Sequence, residues 1–195
     1  MFTWTIKIIF YPLLWLFFKP KIYGTKFCKV NGGVILMSNH VNLLDPIFLG
    51  IFFRRRIYFM AKKELFKNPF LRWLIKMLGA FPVDRGKTDI ASIKRAMAVV
   101  KQGKVLGIFP EGKRVKTGEL GNFEQGTAML AMKLKCPIIP VYTDGNYGIF
   151  KRAKLVFGEA FYLQDVFGRK VLSENLGDIS SYLKDKIQKL KDQVV

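Results

Sequence analysis

One histidine stands in 195 residues, His40, and an aspartate follows it five positions later in Ser38-Asn39-His40-Val41-Asn42-Leu43-Leu44-Asp45-Pro46. An apolar, strand-like run from Val34 to Ser38 precedes the pair, and a helix-like run from Pro46 to Phe53 follows it. Asp45-Pro46 reads as a helix N-cap with proline at the first helical position. On one helix this spacing would put the two side chains on different faces, whereas a strand-to-helix turn can bring the carboxylate to the imidazole. Such a dyad suits removal of a proton from a hydroxyl. The neutral imidazole accepts the proton, while the carboxylate fixes the tautomer and stabilises the imidazolium. A covalent route would need another nucleophile, and the chain has no G-x-S-x-G elbow. Ser38 shares a strand face with His40, but that alone does not assure contact. Direct attack by a bound hydroxyl is the preferred reading.

Charged residues able to hold an anion lie further along. Arg85 follows the strand-like run from Ala80 to Val83, where a guanidinium can grip a phosphomonoester bidentately, and Lys87 is close by. Gly86-Lys87-Thr88 matches the tail of a P-loop. Phe81, however, stands where G-x-x-x-x-G-K-T needs its first glycine, which rules out that nucleotide site. Glu111-Gly112-Lys113-Arg114 leaves the run from Val105 to Phe109, and ligands of α/β sheets sit outside the carboxyl ends of strands. Both blocks are therefore expected beside His40, with Gly112 permitting close backbone approach. No His, Cys, Asp and Glu set has metal-ligand spacing, so no metal is expected.

Asn39-His40 with Asp45 resembles the H-x4-D motif of the glycerolipid acyltransferases. Gly79-Ala80-Phe81-Pro82-Val83-Asp84-Arg85 is similar to that family's second motif, Phe109-Pro110-Glu111-Gly112-Lys113-Arg114 to its third, and Pro137-Ile138-Ile139-Pro140-Val141 to its fourth. The resemblance runs from the N-terminal apolar segment to near residue 160. It implies an α/β domain with a mixed β-sheet flanked by helices. It also implies acyl transfer from acyl-CoA or acyl carrier protein to the sn-2 hydroxyl of 1-acyl-glycerol-3-phosphate (lysophosphatidate), making phosphatidic acid without a cofactor. In that scheme His40 is the base oriented by Asp45, with Asn39 in support. Arg85, Glu111, Gly112, Lys113 and Arg114 hold the glycerol-phosphate part of the acceptor, with Lys87 nearby. Lys113, Val115 and Glu124 depart from the family's common residues, which bears on the acceptor more than on the chemistry. Another lyso-lipid acceptor, a transacylase, and a non-catalytic basic lipid-binding protein of the same fold stay open.

Positioning these residues calls for alternating strands and helices. Strands are expected at Thr25 to Val30, Val34 to Ser38, Ile57 to Ala61, Ala80 to Val83, Val105 to Phe109, Ile138 to Tyr142 and Leu155 to Phe161. Ile90, Ile93, Met97 and Val100 mark one helical face, and Leu176, Ile179, Leu183, Ile187 and Leu190 another. No repeat or linker divides the chain, so residues 21–195 read as one acyltransferase domain.

Lys and Arg number 33 against 14 Asp and Glu, a net charge of +19, while half of the residues are hydrophobic. Basic and apolar together favour an anionic membrane surface over nucleic acid. Residues 1–20 begin with an apolar stretch whose uninterrupted part, Ile8 to Phe18, is shorter than the ~20 residues of a comfortable span. With Pro12 and its aromatics it reads as a monotopic anchor on the cytoplasmic face of the cell membrane. Lys62 to Leu78 mixes cations with Phe66, Phe70 and Trp73, as either a membrane-facing amphipathic segment or a solvated basic face. Cys28 and Cys136 read as reduced core residues.

Overall fold

The computed structural model describes residues 2–84, 89–149, 151–168 and 175–194. Seven strands form one mixed sheet: β1 (Lys21–Tyr23), β2 (Val34–Ser38), β3 (Ile57–Lys62), β4 (Phe81–Val83), β5 (Val105–Ile108), β6 (Ile138–Thr143) and β7 (Lys154–Phe157). Their order is β1-β7-β6-β2-β5-β3-β4, parallel throughout except where β6 meets β7. Every residue of β2, β5 and β6 is buried. That explains why they read as continuous apolar runs rather than as alternation, since a parallel strand covered on both faces has no wet side.

Helices cover both faces. On one, α4 (Ile90–Lys101), α5 (Gln125–Leu134) and α7 (Leu176–Asp192) enclose a core with Ile35, Met37 and Leu106 of the sheet, and the short α6 (Leu163–Phe167) adds Leu163. On the other, α1 (Phe2–Phe18) and α2 (Asp45–Phe52) lie over Val34, Leu36, Phe59 and Val141. Phe18 meets Phe48 edge-on at 5.3 Å, and Lys7 donates to the carbonyl of Phe53 at the negative end of α2, which ties α1 to the body. Among the described residues no helix is long and apolar enough to cross a membrane.

Six of the seven expected strands are present. Thr25 to Val30 is not one of them: Thr25–Cys28 is a 3-10 turn, and the strand precedes it at Lys21–Tyr23. Gly24 ends β1 in the left-handed region, and a Cβ there would lie 1.9 Å from the carbonyl oxygen of Phe157. The inward face of α4 also differs from expectation. Ser92, Ala96, Val99 and Val100 are buried, whereas Ile90 is 61% exposed. Both cysteines are free and buried, and burial pushes their thiols up to about 11 and about 12, as suits inert core residues.

One glycine of the sheet bears on the site. A Cβ on Gly107 of β5 would lie 2.4 Å from the ring of Phe59, which stacks on Phe109 at 5.7 Å. Gly107→Ala is therefore expected to displace an aromatic column. Overpacking of that kind costs about 1–3 kcal/mol. For a chain of this size that lowers Tm by roughly 3–10 °C in a thermal melt.

Candidate active site

β6, β2 and β5 are neighbours and parallel, so their carboxyl ends open on one edge of the sheet. Ligands of open α/β sheets gather at such an edge. His40 leaves β2, Phe109 to Arg114 leave β5, and Asp144 to Tyr147 leave β6.

The turn after β2 closes around Asp45, which is fully buried. Its Oδ2 accepts from His40 Nδ1 at 2.8 Å and from the backbone N–H groups of Val41 at 2.8 Å and Asn42 at 2.7 Å. Its Oδ1 accepts from the Tyr147 hydroxyl at 2.8 Å. Asp45 is thus not the N-cap expected from sequence. It lies inside the first turn of α2 and reaches back to the preceding loop, leaving Leu44 at the cap position.

These contacts fix every proton in the cluster. A carboxylate only accepts, so His40 carries its proton on Nδ1 and presents a lone pair on Nε2. Tyr147 must donate its single proton to Asp45, so its oxygen accepts from the Thr143 hydroxyl 2.7 Å away, and Thr143 in turn accepts from Gly145 N at 3.2 Å. Burial and the adjoining Asp45 carboxylate push the Tyr147 phenol well up, which keeps it a donor. The outcome is a chain from Thr143 through Tyr147 and Asp45 to His40. The imidazole is 16% exposed and stacks on Phe109 at 4.2 Å, so one ring face is covered while the ring still reaches the surface.

Glu111 holds this turn from the other side. It is buried, its Oε2 accepts from His40 N at 2.8 Å and its Oε1 from Gly121 N at 2.9 Å. Val115 N completes the clasp on the His40 carbonyl at 2.8 Å. Burial pushes the Glu111 carboxyl up, and the two backbone donors work against that shift. Sequence reasoning placed Glu111 on the substrate. The structure instead engages both of its oxygens with the backbone, because a loop crossing the base of the site leaves buried N–H groups that need acceptors. In Glu111→Gln, one end of the amide would face an N–H with another N–H. A buried donor left unpaired costs about 1–3 kcal/mol, read as a lower Tm, and His40 shifts with it, read as a lower kcat.

Gly112 takes φ +66°, and a Cβ there would meet Glu124 at 3.1 Å, so this loop needs its glycine. Lys113 and Arg114 are exposed on the same loop. Asn39 is buried and exchanges two hydrogen bonds with the backbone of Thr143, at 2.8 and 2.9 Å, which pins the His40 turn to the end of β6. Asp84 and Asp89 border the second charged block. Asp84 pairs with Lys63, and Asp89 caps α4, its carboxyl held down to about 2 chiefly by the Ser92 hydroxyl. Arg85 and Lys87 lie outside the described residues. Among the described residues no group of three or more His, Cys, Asp or Glu is placed to hold a metal ion.

Four partners went unseen in the sequence: Tyr147, Thr143, Phe109 as a ring stack, and Gly121. The one available signal was the turn-rich Asp144-Gly145-Asn146 with Tyr147 just after a strand, a context in which a buried phenol needs a polar partner.

Comparison with known proteins agrees with this arrangement. A family profile described as Acyltransferase matches residues 19–144. The 1-acyl-sn-glycerol-3-phosphate acyltransferase of Bacillus subtilis is 31% identical over 180 residues, covering 89% of each chain. That of Streptococcus pneumoniae is 30% identical over 166 residues, 82% of this chain and 61% of the other. The crystal structure of the 1-acyl-sn-glycerophosphate acyltransferase from Thermotoga maritima has the same fold, with a TM-score of 0.68 over 89% of this chain and 73% of that one, at 24% identity. The profile spans both His40 and Glu111, and the Bacillus relative matches nearly end to end: this chain belongs to the acyltransferase family.

Proposed function

We propose that the protein transfers a fatty acyl group from a thioester, acyl-CoA or acyl carrier protein, to the sn-2 hydroxyl of 1-acyl-glycerol-3-phosphate. The observation that carries this reading is the polarised imidazole: Nδ1 is held by a buried carboxylate that itself has three further donors, and Nε2 is left as a base. The acceptor's hydroxyl gives its proton to Nε2 as its oxygen attacks the thioester carbonyl. Asp45 stabilises the imidazolium while charge builds on the carbonyl oxygen. The tetrahedral intermediate then expels the thiolate, which takes the proton back from Nε2, giving the ester and free thiol.

The N–H groups of Val41 and Asn42 are engaged by Asp45 and do not serve the oxyanion. Lys113 and Arg114, exposed on the loop clasped to His40, are the described cations placed to attract the acceptor phosphate, and Arg85 and Lys87 share that role by their place after β4. Glu111, Gly112 and Asn39 hold the geometry. The acceptor is a membrane lipid, and α1 offers the means of reaching it. Leu14 and Phe18 lie against the core while Ile8, Leu13, Trp15, Leu16 and Phe17 face outward, as befits a helix lying on the cytoplasmic face of the membrane.

The test is release of thiol from palmitoyl-CoA, and from palmitoyl-acyl carrier protein, with and without lysophosphatidate in detergent. Release that requires lysophosphatidate is expected. Release with lysophosphatidylcholine but not lysophosphatidate would replace the acceptor, and no release with either donor would overturn the reading.

A further inference from the structure

We propose that α3 (Pro69–Met77) is a second membrane-docking element, inserting Phe70 and Trp73 into the interfacial layer of an anionic leaflet. Asn68 accepts from Leu71 N at 3.0 Å and Pro69 opens the helix, so it is firmly started. Yet α3 has no buried residue. Phe70 is 72% and Trp73 60% exposed, with ring centroids 6.3 Å apart. They stand three residues apart, side by side on one helical face. Intramolecular burial does not account for two large rings on a surface, whereas an amphipathic body suits the headgroup level of a bilayer.

Charge selects the occupant. Lys67, Arg72 and Lys76 are exposed, and among the described residues none has a carboxylate within ion-pair distance; the nearby acids Glu64 and Asp84 pair with Lys62 and Lys63. Beside the helix lies a cleft of about 550 Å³ into which Arg56, Arg72, Lys76 and Arg95 project with no acidic residue in its lining. Cations flanking exposed aromatics match an anionic lipid surface, with headgroup phosphates at the cations and the rings at the acyl boundary. A nucleic acid or acidic protein would answer the charge alone. The surface also continues toward α1, since Lys7, Gly50, Ile51, Met77 and Leu78 line one narrow crevice that sets α1, α2 and the end of α3 side by side.

Docking is independent of acyl transfer, so its failure leaves the proposed reaction standing. Of the three tryptophans, Trp4 and Trp15 lie in α1, and Trp4→Phe with Trp15→Phe leaves Trp73 as the only reporter. With vesicles of phosphatidylglycerol and phosphatidylcholine carrying shallow brominated chains, Trp73 emission should shift to the blue and be quenched. Partial burial of two such rings implies that Phe70→Ser with Trp73→Ser weakens binding to these vesicles roughly ten- to a hundredfold. Val166→Ser, at another exposed apolar residue, should not, and acyl transfer in detergent micelles should survive in both. Vesicle binding with unchanged Trp73 emission, absence of vesicle binding, or a dimer abolished by the Phe70/Trp73 changes without loss of vesicle binding would each overturn the proposal.

Discussion

His40→Ala should fold and bind the acyl donor but lose about 10²–10⁴-fold in kcat, the range a positioned general base supplies. Its backbone N–H and carbonyl, which carry the contacts to Glu111 and Val115, survive the substitution. What disappears is a ring that is 16% exposed and stacked on Phe109, so the stability change should be small beside the catalytic one. The truncation leaves a space bounded by Asp45 and Phe109 and open to solvent. Millimolar imidazole should therefore restore part of the thiol release. A variant that keeps wild-type turnover would remove His40 from the chemistry; one whose melting curve collapses would make it structural.

How much of this could be read from the chain alone follows from what each feature depends on. His40 and Asp45 are joined by a local turn, so five residues of sequence carry the pairing, and the apolar strand before it carries the direction. The buried strands β2, β5 and β6 are legible because burial on both faces makes their runs continuous. Tyr147 is 102 residues from Asp45 and meets it only because β6 lies beside β2, a neighbour relation that no local pattern encodes. Glu111 was visible as a charged residue at a strand end, but its orientation depends on Gly121, ten residues on, returning to offer an N–H. β1 was misplaced by a few residues because a short edge strand has little burial to imprint a pattern, and Gly24 ended it early.

Asp45→Asn should be nearly as slow as His40→Ala while remaining close to the wild type in stability. Three N–H donors converge on Oδ2, so the amide oxygen has to stay there, keeping the Nδ1 proton of His40 and the ring orientation. The amide NH2 then faces Tyr147, whose hydroxyl turns to donate to Thr143 and accepts from the amide. Only the negative charge is lost. At contact distance and an effective dielectric near 20 the imidazolium loses up to ~4 kcal/mol of stabilisation, or roughly 10²–10³-fold in kcat. Tyr147→Phe keeps the charge but strips Oδ1 of its donor. Leaving a buried carboxylate oxygen unpaired costs about 1–3 kcal/mol of stability. The sign of its effect on the base follows from the same contact: a carboxylate with one donor fewer holds the imidazolium proton more tightly, so the acid limb of the rate profile moves to higher pH. The double variant decides whether Tyr147 acts through Asp45. If it does, Tyr147→Phe has no further effect on kcat or on the acid limb once residue 45 is neutral, because there is no charge left for the phenol to tune. Losses that multiply would give Tyr147 a contact with the substrate of its own, which a hydroxyl already donating to Asp45 and accepting from Thr143 has little capacity to make.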